Sequence, residues 1–219
     1  GDWIKRQRGD FDSGVDGAQE RLAAAENLKK RLELILTMGL TAHEPAEPLL
    51  QRMAGNPDAP EILRAACMWA IGQIEQERFS KSYYEQASSG VPESEMVQPE
   101  RRGYEPMVEA LQSDSQVLRC AAVQSLGYSG PVETAESLMR VFEHSGYTEK
   151  CQSLAVEQNE VTHIEFVRFG LIRSQIVDAL AKIGNRSIVT WLQKQGDDRK
   201  NADEVILKAR DLARQIREL

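Results

Sequence analysis

A repeated fragment constrains the fold of this chain more than any other feature of its sequence. Three copies occur, at residues 62–72, 117–127 and 171–181. In each copy an arginine follows two apolar residues and precedes positions that are mostly small or apolar. Arg119 lies 55 residues after Arg64, and Arg173 lies 54 residues after Arg119. This near-constant spacing predicts a repeat protein in which helical pairs stack along one axis.

Apolar spacing and turn residues divide the chain into helices. From Gln19 to Leu36 apolar residues recur every three or four positions, and Gly39 predicts the end of that helix. Four helical pairs follow, at 47–53 with 60–75 or beyond, 104–112 with 115–126, 132–142 with 162–183, and 187–195 with 202–219. The predicted capping residues are Asp58, Asp114, Thr162 and Asn201.

We therefore expect an all-α fold, a right-handed α-α superhelix of about four helical pairs with an N-terminal capping helix. Residues 19–219 are expected to form a single domain, and residues 1–18 a disordered leader. The stretches at about 77–103 and 143–161 are polar and lack the apolar period of a buried helix. They are expected to be insertions between repeat helices.

The net charge of −7 disfavours nucleic acid as a partner, because nucleic-acid binding normally requires a basic stripe. No apolar run approaches the roughly 20 residues that cross a bilayer, so no membrane span is expected in this chain. Trp3 is followed by the cations Lys5, Arg6 and Arg8. Such a pattern is typical of a disordered basic leader or of the cytoplasmic edge of an upstream membrane helix. We expect a cytoplasmic protein, with membrane attachment through upstream sequence as the alternative.

The chain has three cysteines, an odd number. Cys67 and Cys120 fall inside predicted repeat helices, and Cys151 falls in a predicted loop. We expect all three to be free thiols in a reducing compartment. The cysteine and histidine spacings of a zinc site are absent, so neither a metal nor another cofactor is expected.

Two strings, from Asp114 to Gly127 and from Asp178 to Gly184, resemble HEAT repeats, particularly the short subtype first noted in phycobilisome lyases. The resemblance covers about residues 45–219. It implies an α-α superhelix but no single activity, because the subtype occurs in scaffolds, regulators and lyase subunits. The sequence departs from the family pattern in its two insertions. It also carries Ala181 where the first two copies of the fragment carry glycine.

The resemblance implies a structural role for the repeated arginines, Arg64, Arg119 and Arg173. In HEAT-like stacks this position bonds to an acidic group or a carbonyl in a neighbouring turn. Asp58 and Asp114 are suitably placed to be those partners.

The resemblance also implies that a residue five positions after each arginine faces the concave surface. Those residues are Trp69, Gln124 and Asp178, and one turn later the same face presents Gln73, Tyr128 and Lys182. We expect these six residues to form a binding surface. The alternative for Trp69 is that it packs beneath the insertion that follows its own helix.

The first insertion carries three aromatic residues, Phe79, Tyr83 and Tyr84. Their spacing places them on one helix face if the preceding helix continues. They are expected to form either a second surface for a partner or a cover over Trp69.

The sequence contains no phosphate loop, nucleophile elbow or metal cluster. We therefore favour a non-enzymatic scaffold that binds a protein or peptide on its concave face. The alternative is a bilin-lyase-like accessory or catalytic subunit, in which Trp69, Tyr128 and Asp178 contact a tetrapyrrole. A third hypothesis, a HEAT-like DNA glycosylase using Trp69, Trp191 and Asp178, fits the acidic charge balance poorly.

Overall fold

The computed structural model describes residues 28–156, 164–184 and 186–218. In those residues nine α-helices follow one another: α1 Leu28–Leu40, α2 Glu47–Gly55, α3 Glu61–Ser88, α4 Glu105–Ala110, α5 Gln116–Ser129, α6 Thr134–His144, α7 Ile172–Ile183, α8 Val189–Asp197 and α9 Asp203–Glu218. Two strands, β1 Lys150–Val156 and β2 Ile164–Leu171, lie between α6 and α7. Short 3-10 turns occur at Glu44–Ala46, Glu93–Glu95 and Arg186–Ile188. The predicted leader, residues 1–18, lies outside the described residues.

The helices form two rows. The odd-numbered helices α1, α3, α5, α7 and α9 each pack on the next, and each even-numbered helix packs on the odd-numbered helix that follows it. One hydrophobic core runs through the stack from Leu32 to Ile216. The four pairs α2/α3, α4/α5, α6/α7 and α8/α9, with α1 at one end, confirm the predicted all-α superhelix.

The glycine that ends the first two repeat fragments allows neighbouring odd-numbered helices to approach closely. A Cβ atom at Gly72 would lie 3.3 Å from the Cα of Ser125, and one at Gly127 would lie 3.1 Å from the Cα of Ala179. Such distances are tighter than ordinary van der Waals contact. The third copy carries Ala181, which is exposed, so the α7–α9 contact does not require a glycine there.

Gly39, predicted as a helix end, lies inside α1. A Cβ atom there would lie 2.7 Å from Cζ3 of Trp69 and 2.9 Å from the Cα of Ala70. The residue is small because α1 and α3 cross at this point, and α1 continues to Leu40. The predicted helix end therefore agrees with the structure to within one residue, but the glycine is needed for helix packing and not for a turn. The predicted helical residues 19–27 lie outside the described part of the chain.

The predicted helix caps differ from those in the structure. Ser115, not Asp114, caps α5, and its Oγ accepts a hydrogen bond from the backbone N–H of Leu118 at 3.4 Å. Pro60, without a side-chain hydrogen bond, precedes α3 in place of Asp58. Asn201 is buried and its side chain bonds elsewhere, and Thr162 lies outside the described residues. These are shifts of a few residues at helix ends, where short polar side chains compete for the same role.

The first predicted insertion, residues 77–103, begins as a helix, which covers residues 77–88. Helix α3 continues without a break to Ser88, and the chain then returns along it. The side chain of Gln86 fastens this return segment, because its Nε2 donates to the carbonyl of Val97 at 2.8 Å and its Oε1 accepts from the N–H of Val97 at 2.8 Å. Arg78 also donates to the carbonyl of Glu100. The absence of an apolar period here agrees with the structure, because no residue from 77 to 88 is buried, and a helix that projects beyond the stack needs no continuous apolar stripe. Residues 76–103 are called the arm below.

The second predicted insertion, residues 143–161, holds β1, the first strand of a β-hairpin, whereas β2 lies in the stretch predicted as helix. Strands β1 and β2 pair antiparallel, with Cys151 opposite Phe169 and Val156 opposite Ile164. The prediction of a helix that begins at residue 162 was therefore wrong for residues 164–171, which form β2. Helix α7 begins at Ile172. Residues 164–169 are rich in β-branched and aromatic side chains, which favour a strand.

Two of the three cysteines are not free thiols. Cys120 of α5 and Cys151 of β1 form a disulfide with their Cα atoms 5.4 Å apart, and both are fully buried. Cys67 is free and buried. The prediction of three free thiols was wrong because the hairpin returns Cys151 to α5, which spacing along the chain does not reveal.

Two glutamates are buried where the arm returns to the stack. Glu75 of α3 is fully buried, and its Oε2 accepts from Nη2 of Arg78 at 2.6 Å and from the N–H of Arg102 at 3.2 Å. Glu47 of α2 is 6% exposed, and its Oε1 accepts from Nε2 of Gln51 at 3.0 Å. Burial raises the pKa of Glu47, and the negative charge of Glu75 raises it further, against the opposing influence of Arg78.

Glu47→Gln is expected to change how stability depends on pH. Because the folded-state pKa of Glu47 is raised, its contribution to stability is fully present below about pH 4 and is lost as pH rises through the folded pKa. Glutamine retains an acceptor for Gln51 and carries no charge, so the variant should gain stability relative to the natural chain as pH rises. Urea unfolding across the acidic-to-neutral range measures this gain. Glu44→Gln, at an exposed carboxylate, is the matched control, and equal pH profiles for all three proteins would contradict the prediction.

Candidate functional site

The odd-numbered helices bring polar side chains to one surface. Lys182 of α7 places its Nζ 3.7 Å from the ring centroid of Tyr128 on α5. Asp178, one turn before Lys182, accepts a hydrogen bond from Nζ of Lys208 on α9 at 2.5 Å. These contacts cross from each helix to the next. They show that the residues share one surface.

Two glutamines extend this surface toward α3. Gln124 precedes Tyr128 by one helical turn, and Gln73 follows Gly72, which packs against Ser125 beside Gln124. Both glutamines are half-buried. The set that we call the odd-helix surface comprises Gln73, Gln124, Tyr128, Asp178, Lys182 and Lys208.

The repeated arginines hold this surface in register. Each donates to a backbone carbonyl at or just beyond the end of the preceding even-numbered helix: Arg64 to Ala54 at 2.9 Å, Arg119 to Ser113 at 2.6 Å, and Arg173 to Ser145 at 2.7 and 3.1 Å. The last carbonyls of a helix have no partner within it, and its dipole favours a cation there. The arginine therefore fixes the start of one helix against the end of another.

The second partners of the arginines differ between repeats. Arg119 pairs with Glu149, with Nη2 and Oε1 3.0 Å apart, and Arg173 donates from Nη1 to Oδ1 of Asn201 at 2.7 Å. The expected acidic partners Asp58 and Asp114 do not accept these hydrogen bonds. The aspartates precede the helix start, whereas the guanidinium groups point toward the preceding helix.

Trp69 belongs to the junction of α1 and α3. Its ring lies against Gly39 and is half-buried at the edge of the core. The contact with α1 explains why a large apolar side chain occupies a position that is polar in the later repeats. Any role of Trp69 in binding involves only the part of the ring that remains exposed.

The three aromatic residues of the arm are not members of the odd-helix surface, but Arg101 connects Phe79 to it. Tyr83 and Tyr84 are in edge-to-face contact, with ring centroids 5.8 Å apart. The guanidinium of Arg101 stacks 3.5 Å from the ring centroid of Phe79 and donates to the carbonyl of Tyr128. Arg101 thus fastens the arm to α5. Sequence reasoning missed Arg101 and Lys208, since neither lies in a copy of the repeat fragment.

A groove of about 370 Å³ lies between the end of α3 and the return segment of the arm. Its apolar lining is contributed by Phe79, Tyr83, Tyr84, Met96, Val97 and Pro99. We call it the arm groove.

The residues named for DNA glycosylase chemistry do not meet. Trp191 lies on the even-numbered helix α8 and is half-buried, with its ring edge-to-face against Phe142 at 4.9 Å between centroids. Trp69 and Asp178 lie on odd-numbered helices, and Asp178 is paired with Lys208. In the described residues no group of three or more His, Cys, Asp and Glu side chains is placed to hold a metal ion. No helix in the described ranges combines the length and apolar character of a membrane span.

Helical pairs stacked in two rows, with an arginine near the start of each repeated helix, define a HEAT-like helical solenoid. Comparison of the sequence with profiles of known families and with curated proteins finds no match. A similar solved structure is the complex of CpcE and CpcF of phycocyanin lyase from Nostoc sp. PCC7120, with a TM-score of 0.59 and 15% sequence identity. The match covers 94% of this chain and 65% of that chain. The resemblance to lyase-type HEAT repeats is thereby confirmed at the level of the fold.

Proposed function

We propose that this chain binds a partner protein on its odd-helix surface, which holds five of the six residues expected on the concave face, all but Trp69. The observation that carries this proposal is the row of charged and aromatic side chains contributed by α5, α7 and α9. Asp178 and Lys208 keep 43% and 39% of their side-chain surface exposed despite their contact. A rigid surface with both charge signs and an aromatic ring is well suited to selective protein recognition. The similar solved structure is itself a complex of two proteins.

The same surface contributes little to folding. A partly exposed ion pair such as Asp178–Lys208 contributes about 0–1 kcal/mol to stability, and an exposed cation over a ring about 0.5–1 kcal/mol. Substitutions there are therefore expected to test binding while the stack stays folded.

Lys182→Glu is expected to weaken partner binding by about tenfold or more, because it reverses a charge at the centre of the proposed interface. Affinity capture from a native lysate with the natural chain identifies candidate partners, and titration of each purified candidate against both chains measures the loss. Lys194→Glu is the matched control, since Lys194 is exposed on the even-numbered helix α8. Equal affinity of all three chains for every candidate would reject the odd-helix surface as the binding site.

The alternative is that the chain binds a tetrapyrrole, and the likeness to a phycocyanin lyase complex favours it. In this proposal Tyr128 and the exposed part of Trp69 contact the apolar pigment. Lys208 is paired with Asp178. Lys182, which lies over the ring of Tyr128, is therefore the cation that would bind a propionate group of the pigment. Titration with biliverdin tests this alternative: a saturable red shift in absorption that Tyr128→Ala abolishes supports it, and an unchanged spectrum rejects it.

A further inference from the structure

The arm groove exposes apolar surface that the fold does not use. Tyr84 is 70% exposed and Val97 is 75% exposed, and Tyr83 beside them is 48% exposed. The three side chains lie on opposite walls of one groove, together with Met96 and Pro99. Clustered apolar side chains of this kind, rimmed by polar residues, typically mark an interaction site.

Carboxylates predominate on the arm around the groove, and Glu93 is one of the residues that line it. The exposed charged side chains of the arm are five carboxylates and two cations, namely Glu77, Glu85, Glu93, Glu95, Glu100, Lys81 and Arg102. Arg78 lies in the same range but is largely buried and paired with Glu75. A complementary occupant therefore has one or two large apolar side chains followed by several cations.

We propose that the arm groove binds residues 3–8 of this same chain, Trp3-Ile4-Lys5-Arg6-Gln7-Arg8. This segment supplies an indole and a branched apolar side chain for the groove, and three cations for the carboxylates of the arm. Tryptophan and arginine are the residues that most often anchor protein interfaces. The match in both apolar character and charge assigns the groove to this segment.

The chain is long enough for this contact to form within one molecule. Residues 9–27 connect the segment to α1, and 19 residues span up to roughly 60–70 Å when extended. Helix α3, with 28 residues, is about 42 Å long, so the segment reaches the groove from either end of that helix. A tether of this length gives an effective concentration on the order of millimolar. The proposal is independent of the odd-helix surface and of any partner bound there.

Photocrosslinking in the full chain tests the proposal. Trp3 is replaced by p-benzoyl-phenylalanine, the protein is irradiated, and mass spectrometry maps the crosslinked residues. We expect crosslinks within one chain to residues 79–97. The matched control carries the same photoreactive residue at Phe11, outside the proposed segment, and should give no crosslinks to the arm.

Two variants show whether the groove itself is recognised. Tyr84→Ser, at an exposed side chain, and the triple change Lys5→Glu, Arg6→Glu and Arg8→Glu should each reduce the crosslink yield about tenfold, by removing an anchor and the charge complement respectively. Thermal melting verifies that each variant is folded. Crosslinks outside the arm, absence of crosslinks, or a yield that neither variant changes would overturn the proposal. Crosslinked dimers would also overturn it and would assign the groove to a second copy.

Discussion

Reduction of the Cys120–Cys151 disulfide is expected to lower the free energy of unfolding by about 3–4 kcal/mol. The two cysteines are 31 residues apart, and opening a loop of that size restores conformational entropy to the unfolded chain. The disulfide also ties β1 to α5, where Nη2 of Arg119 lies 3.0 Å from Oε1 of Glu149 and Nε2 of Gln116 donates to the carbonyl of Lys150. Reduction should therefore loosen the hairpin as well as destabilise the stack.

Urea unfolding with and without dithiothreitol, followed by far-ultraviolet circular dichroism, measures the change in midpoint. Cys67→Ala should respond to reductant like the natural chain, because Cys67 is not part of the disulfide. Burial raises the pKa of the Cys67 thiol, which keeps it protonated and outside thiol exchange. The double variant Cys120→Ala, Cys151→Ala should not respond. Identical midpoints for the natural chain in oxidising and reducing buffer would contradict the prediction.

Arg173→Ala is expected to lower the free energy of unfolding by about 3 kcal/mol, the largest loss among the repeated arginines. Arg173 is 5% exposed and donates three hydrogen bonds, two to the carbonyl of Ser145 and one to Asn201. Its guanidinium lies 3.9 Å from the ring centroid of Tyr147 and 4.6 Å from that of Phe142. Alanine leaves buried acceptors without donors and opens space between two rings.

Arg64→Ala is the matched control at the same position of the first repeat. Arg64 is half-buried and makes one hydrogen bond to the carbonyl of Ala54, so the expected loss is about 1 kcal/mol. Arg119→Ala should fall between the two, because Arg119 is half-buried and has a carbonyl and a partly exposed carboxylate as partners. Denaturant midpoints, compared at constant m-value, rank the three variants by their loss in free energy of unfolding. Equal losses for Arg64→Ala and Arg173→Ala would show that burial does not set the contribution of this arginine.

The sequence by itself determined the repeat and the two-row stack. Periodicity of apolar residues is a local property, and the recurring arginine marks the same position in successive helices at spacings of 55 and 54 residues. Helix geometry then carries Gln124, Tyr128, Asp178 and Lys182 to equivalent positions on successive helices. The predicted helical pairs therefore match the structure to within a few residues at most ends, but α7 begins ten residues later than predicted because residues 164–171 form β2.

Only the tertiary structure decided what the two insertions are. The arm keeps its helix because the side chain of Gln86 and the guanidinium of Arg78 bind carbonyls of a segment that returns from many residues away. The strand β2 and the partner of Cys120 likewise depend on pairing between distant parts of the chain. The ring of Trp69 packs against Gly39 of α1. The repeat that contains Trp69 does not encode this contact. A periodic pattern specifies which face of a helix is buried, but the partner that covers the face is decided by the fold as a whole.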